Sequence, residues 1–390
     1  MQAKLIALTL AALPATALAD ATIYGTLQAG IERDSISDGA SNSGVQDYVS
    51  SLGIRGTESI GNGLKALWQV ETRLNIDGKG SEALGSRDTF VGLSHDKLGI
   101  VRLGYLSTAL NDLYQVDQWT YNNQITQANG SDVQNRNTPT ANAGANGLAV
   151  LSNPGNRLKN AVRYDTPQLA GFSGVLSYGF GENKSQAANP AQSVKRASDI
   201  VSAGANYTLG NYFANYAYQR EFNPNGLTRT GQPIQQTGST ISTADIHYAQ
   251  AGFRDENLFV ALGFQRAQGY DWTDSFSGDT GVNYGTLAAP QSAAQAKLTT
   301  RQAALSVAYT YQAITPKFSY AKGWNQQVMG RSVDNSGYQQ FVVGVDYKLS
   351  KRTTTGLSHG RLTFGENAAA AVNHQRTTLN TTAVLLSHSF

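Results

Sequence analysis

The chain has 390 residues, with 30 Lys plus Arg against 27 Asp plus Glu, and only 15% of it is charged, well under the roughly 25% of ordinary soluble domains. That near balance removes any overall pull towards nucleic acid or an anionic surface, and the absence of cysteine excludes disulfides, thiolate metal sites and thiol nucleophiles. Mean hydropathy is negative, and no apolar run beyond residue 19 approaches the roughly 20 residues that a spanning helix needs.

In chain order, Met1 to Ala19 reads as a cleavable export signal: Lys4 is the positive start, Leu5 to Ala17 the short apolar stretch, and Ala17-Leu18-Ala19 the small-x-small cleavage site. Residues 20–390 form a single domain. In it Ile23, Leu27, Ala29 and Ile31 alternate with Tyr24, Thr26, Gln28 and Glu32, and Ala66, Trp68 and Val70 alternate with Lys65, Gln69 and Glu71. The same period of two recurs at Tyr212 to Tyr218, Leu258 to Phe264, Leu305 to Tyr311 and Phe341 to Leu349. The last segment puts Val384, Leu386, His388 and Phe390 on one face. A stripe apolar on one side and polar on the other, repeated over segments of about 10 residues, is the pattern of a membrane-spanning barrel strand.

The connections alternate in length. Ser59 to Gly63, Asp96 to Gly99, Leu209 to Asn211, Asp255 to Asn257 and Ser350 to Arg352 are short; Asp34 to Asp47, Ser107 to Gly155, Gln268 to Lys297 and Asn325 to Ser336 are among the long ones. Short turns on one side and long loops on the other predict an all-β fold: an antiparallel transmembrane β-barrel of about sixteen strands, with periplasmic turns and extracellular loops.

Four strings, in order, resemble the Gram-negative general porins of the neisserial and β-proteobacterial type. Thr22 to Thr26 (TIYGT) resembles their first strand, and Arg55 to Glu71 (RGTESIGNGLKALWQVE) their second turn and third strand. Arg163 to Gly174 (RYDTPQLAGFSG) is similar to the segment after their constriction loop, and Leu386 to Phe390 (LSHSF) to their terminal signature. The resemblance implies a homotrimer of 16-stranded barrels in the outer membrane of a Gram-negative bacterium, each with its own pore. It implies a third loop, here 107–155, folded inward, with lipopolysaccharide as a partner. The outer-membrane assembly machinery would engage the strand ending in Phe390.

Such a pore passes ions and small hydrophilic solutes by passive diffusion, biased by charges at its narrow point. Strand parity turns Arg55, Lys65, Arg73, Arg157, Lys159 and Arg163 inward, and Arg87 matches an arginine lining the constriction of similar porins. These form an expected basic wall facing an acidic loop tip of Asp112 and Asp117, with the alternative that these aspartates tether the loop. Similar porins often carry an arginine where this chain has Ser51, so the expected anion preference is weak.

The five histidines, His95, His247, His359, His374 and His388, lack the spacing of a helical zinc site, and no nucleophile elbow or phosphate-binding glycine loop is present. The reading is of a protein that is not an enzyme and needs no cofactor, metal or nucleic acid. Two alternatives compete: a ligand-specific channel, for example for sugars, and a surface adhesin whose loops act on a closed barrel.

Overall fold

A computed structural model describes residues 21–37, 41–48, 50–78, 83–113, 157–181, 197–223, 243–269, 298–328, 330–366 and 375–390. The first strands are β1 (Thr22–Ile36), β2 (Ser41–Asp47), β3 (Ser51–Gly61), β4 (Leu64–Arg73), β5 (Thr89–His95) and β6 (Gly99–Ser107). A short helix, α1 (Ala109–Leu113), follows β6. Then come β7 (Arg157–Asp165), β8 (Phe172–Gly179), β9 (Ile200–Leu209), β10 (Tyr212–Phe222), β11 (Thr243–Arg254), β12 (Leu258–Gln268) and β13 (Leu298–Tyr309). The chain ends with β14 (Ile314–Gly323), β15 (Gln327–Val328), β16 (Arg331–Ser332), β17 (Tyr338–Lys348), β18 (Thr353–Phe364) and β19 (Thr377–Ser389).

All the described strands join one antiparallel sheet, which closes on itself through β1 and β19. Ile31 stands opposite Val384, and the seam ends in reciprocal backbone bonds between Gly25 and Phe390 of 3.2 and 3.1 Å. Among the described residues every stave of the barrel is paired on both sides, the condition for a sheet in hydrocarbon, where bare N–H and C=O groups are too costly. Both β2 and β3 pair with β1 as one interrupted stave, and β15 with β16 forms a small hairpin beside β13. With β2 and β3 counted as one stave and the hairpin set aside, the strands make a closed barrel of sixteen, as the alternating pattern predicts.

The polar stretch Asp34 to Asp47, expected to be a loop, is largely strand: Ser35 pairs with Ser41 and Arg33 with Ser43. A strand that rises beyond the hydrocarbon keeps its ladder bonds but no longer needs an apolar stripe, so its hydropathy reads as loop. The expected loop at Asn325 to Ser336 likewise contains the β15–β16 hairpin.

The barrel is apolar outside and polar inside. Ile31, Leu262 and Val384 are 68, 59 and 54% exposed on the outer face. On β13, Leu305 and Tyr309 point out, while Gln302, Ala304 and Ser306 are buried on the other face. So continuous an apolar exterior is unstable in water and is matched to acyl chains. There is correspondingly little central core; Leu106, Leu158, Ala161 and Ile200, with Phe90 against them, form a small cluster where β6 meets β7. A β-bulge between the Gly104 and Leu106 pairings lies in the same place.

Candidate functional site

The charged side chains converge on the inner wall of β1 and β3–β7. On β5 and β6 the outward residues are Val91, Leu93, Val101 and Leu103, so alternation sends Phe90 and Arg102 inward. On β4 the same rule places Gln69, Glu71 and Arg73 inside, opposite to Trp68 and Val70.

Three groups of charges follow one another along this wall. In the first, Arg87 Nε donates to Glu71 Oε1, and Tyr24 Oη donates to Glu71 Oε2 at 2.8 Å. The Arg55 guanidinium lies 4.9 Å from the centre of the Tyr24 ring, within range of a cation–π attraction. Tyr24 reaches Glu71 by lying over Gly53, where a Cβ would stand 2.2 Å from its Cζ; only glycine admits the ring. Nearby, Arg73 stands 4.0 Å from Asp47.

In the second group, Arg157 Nε donates to Asp88 Oδ1 at 2.5 Å, and Ser107 Oγ donates to the same oxygen at 2.8 Å. Asn111 of α1 donates to Ser107 Oγ at 3.2 Å, tying the helix to the wall.

The third group centres on Arg163, which is 4% exposed. Its guanidinium pairs with Asp112 of α1, reaches Asp165 at 2.6 Å, and donates from Nη1 to the Ser107 carbonyl at 2.9 Å. Arg102 holds the other side of Asp165 at 2.5 Å.

The helix that carries Asp112 crosses to a different part of the wall. The backbone N–H of Ala109 donates to Ser202 Oγ of β9 at 3.1 Å, and Asn215 of β10 donates to the Leu113 carbonyl at 3.1 Å. Ser202 and Asn215 are on the inner faces of their strands, with Tyr216 exposed on the outer one. Gly204 lets the helix in: a Cβ there would come 2.5 Å from Leu113 Cδ1 and 2.9 Å from Ala109 Cβ. The chain after β6 therefore turns into the barrel. Elsewhere on the inner face, Lys317 of β14 pairs with Asp346 of β17.

Of the residues proposed from sequence, Arg55, Arg73, Arg87, Arg157 and Arg163 gather on this wall, and Asp112 meets Arg163. Lys65 and Lys159 are exposed and make no ion pair among the described residues. Lys65 lies near the short β3–β4 turn, six residues from Glu71, or roughly 20 Å along the strand. Lys159 sits where the bulge breaks the alternation used to place it with Arg163. Asp117 lies outside the described residues, as do most of 107–155 and residues 1–19, where the sequence predicts an export signal.

The arrangement also brings in residues that the charge inventory passed over: Arg102, Asp88, Asp165 and Tyr24. Arg102 is legible as the inward neighbour of Val101 and Leu103, and Asp165 as the residue two along from Arg163. Six arginines, 55, 73, 87, 102, 157 and 163, stand among five carboxylates, 47, 71, 88, 112 and 165. Four of those acids belong to the wall itself. It is a mixed surface in which most cations carry their own counter-ion.

The model of the family described as Gram-negative porin matches residues 5–367. Among curated relatives, the major outer membrane protein P.IB of Neisseria meningitidis serogroup B / serotype 15 (strain H44/76) is 31% identical over 376 residues, covering 94% of this chain and 95% of that protein. The P.IA protein of Neisseria meningitidis serogroup B (strain ATCC BAA-335 / MC58) is 27% identical over the whole of both chains. Among solved structures, the anion-selective porin from Comamonas acidovorans aligns with a TM-score of 0.66 at 18% identity, covering 95% of this chain and all of that one. Salmonella typhi OmpF in complex with daunomycin aligns with a TM-score of 0.64 at 16% identity, covering 95% and 98%. With its apolar exterior, closed sixteen-strand barrel and charged interior, the chain belongs to the Gram-negative porin family, as a channel protein of the outer membrane.

Proposed function

We propose that the protein is a general diffusion pore: passive, without catalysis or cofactor, and open to ions and small hydrophilic solutes. The observation that carries this reading is the row of ion pairs lining the interior, Arg87–Glu71, Arg157–Asp88 and Arg163–Asp112. Charges held inside a dry barrel would each cost several kcal/mol on the order set by ion desolvation, so the row calls for a wetted passage.

In this reading residues 107–155 narrow the pore, beginning with α1, and Asp112 contributes the loop's charge to the constriction. Most arginines of the wall carry a carboxylate partner, so the preference for anions is weak. Opposed charges across a narrow passage also set up a transverse field that favours polar solutes. The functional unit is a homotrimer embedded with lipopolysaccharide, exported by its 1–19 leader and assembled through the strand that ends in Phe390.

The test is planar-bilayer recording of the purified protein in a potassium chloride gradient. Stepwise conductance with a small anion-directed reversal potential is expected. A cation-directed potential overturns the preference. Saturable block by a sugar would favour the ligand-specific channel, and a silent bilayer the adhesin.

A further inference from the structure

On the outer face, the apolar stripes of β10 and β12–β14 each end, towards the long connections, in a basic residue: Arg220, Arg266, Arg301 and Lys322. Arg220 is balanced, its Nε donating to Asp245 at 2.7 Å across the β10–β11 pair. The next three are not. Arg266 stands directly opposite Arg301, and Lys322 opposite Ala303, diagonal to Arg301. Among the described residues none of the three meets a carboxylate; Arg266 donates to Gln268 at 2.7 Å and Arg301 to Gln327 at 3.5 Å. Like charges facing one another across a sheet repel, and cations on the lipid face are tolerated only near the interface.

Arg301 and Lys322 border a cleft of about 650 Å³ at the rim of β13, β14, β17 and β18, lined also by Trp324, Arg376, Asn335 and Glu366, and Arg266 stands beside it through its pairing with Arg301. Glu366, the acid there, accepts a hydrogen bond from Asn335 at 2.9 Å. Directly below, Phe264, Leu305, Tyr320 and Phe341 are exposed on the outer face. Phe264 and Trp324 have ring centres 6.2 Å apart. Cations above and an aromatic, apolar wall beneath form the complement of one amphiphile, an anionic headgroup on acyl chains.

We propose that Arg266, Arg301, Lys322 and Arg376 form a binding site for the phosphate groups of a lipid in the outer leaflet, whose acyl chains lie along β12–β14. The proposal rests on the outer-membrane placement and is independent of the pore, since Arg266, Arg301 and Lys322 stand on the outer face of their strands. The experiment is native mass spectrometry of the folded protein in detergent micelles, titrated with diphosphorylated lipid A, with the same lipid stripped of phosphate, and with inorganic phosphate. Retention of the phosphorylated lipid alone is expected, falling at least tenfold in Arg301→Gln/Lys322→Gln. Bilayer conductance of that variant should be unchanged, so failure of the site and failure of the pore reading remain distinguishable. Equal retention of the dephosphorylated lipid, comparable capture of free phosphate, or an unaltered titration of the double variant would each overturn the proposal. Should the double variant not fold, Arg376→Gln, outside any strand, carries the same comparison.

Discussion

Replacing Arg163 by glutamine separates the two jobs assigned to it: charge at the constriction, and anchorage of α1. The Arg163 side chain is 5% exposed and that of Asp112 35%, so the pair is only half withdrawn from water. A fully buried pair broken on one side costs about 3–5 kcal/mol and an exposed one under about 1. An intermediate loss of about 1.5–2 kcal/mol is therefore expected for the anchorage. At about 1.4 kcal/mol per decade, the released population of the helix rises by a factor of about 10 to 30. The wall itself survives, because Arg102 still holds Asp165. Asp112→Asn breaks the same contact while leaving Arg163 on Asp165. Single-channel recording should show raised open-channel noise in both variants, and the reversal potential should move towards cations in Arg163→Gln and towards anions in Asp112→Asn. Shifts of the same sign, or noise equal to that of the unaltered protein in both, would refute the reasoning.

Gly204→Val puts side-chain atoms where Leu113 packs; it should displace α1 and change single-channel conductance, while the unfolding midpoint of the barrel in denaturant moves little. Gly53→Ala drives Tyr24 off the wall and breaks its bond to Glu71, which should lower stability by about 1–2 kcal/mol, measurable as the temperature at which the folded band is lost in gel electrophoresis. In the β11–β12 turn, the backbone N–H groups of Leu258 and Asn257 hold the Asp255 carboxyl below its ordinary range. With the folded value lowered, this contribution is full at neutral pH and disappears as pH falls through the carboxylate range below about 4. Asp255→Asn should therefore flatten the acid end of the stability profile, and an unchanged profile would count against the assignment.

The alternation of Ile23, Leu27 and Ile31, or of Phe341, Val343 and Val345, needs no partner to be read, because a strand's two faces are set by its own backbone period. From that follow the barrel, the inward side of Arg55 and Arg163, and the alternation of short turns with long connections. The family strings at Arg55 to Glu71 and Arg163 to Gly174 added the expected inward loop. Which charge meets which could not be read this way. Tyr24 finds Glu71 across 47 residues, Arg102 finds Asp165 across 63, and Ala109 finds Ser202 across 93. Those meetings depend on the stagger between neighbouring staves and on closure of the ring, which are global quantities. The bulge between β6 and β7 shifts the parity beneath Lys159 for the same reason. A local period dictates the side of the sheet to which a residue points; only the closed register decides what it finds there.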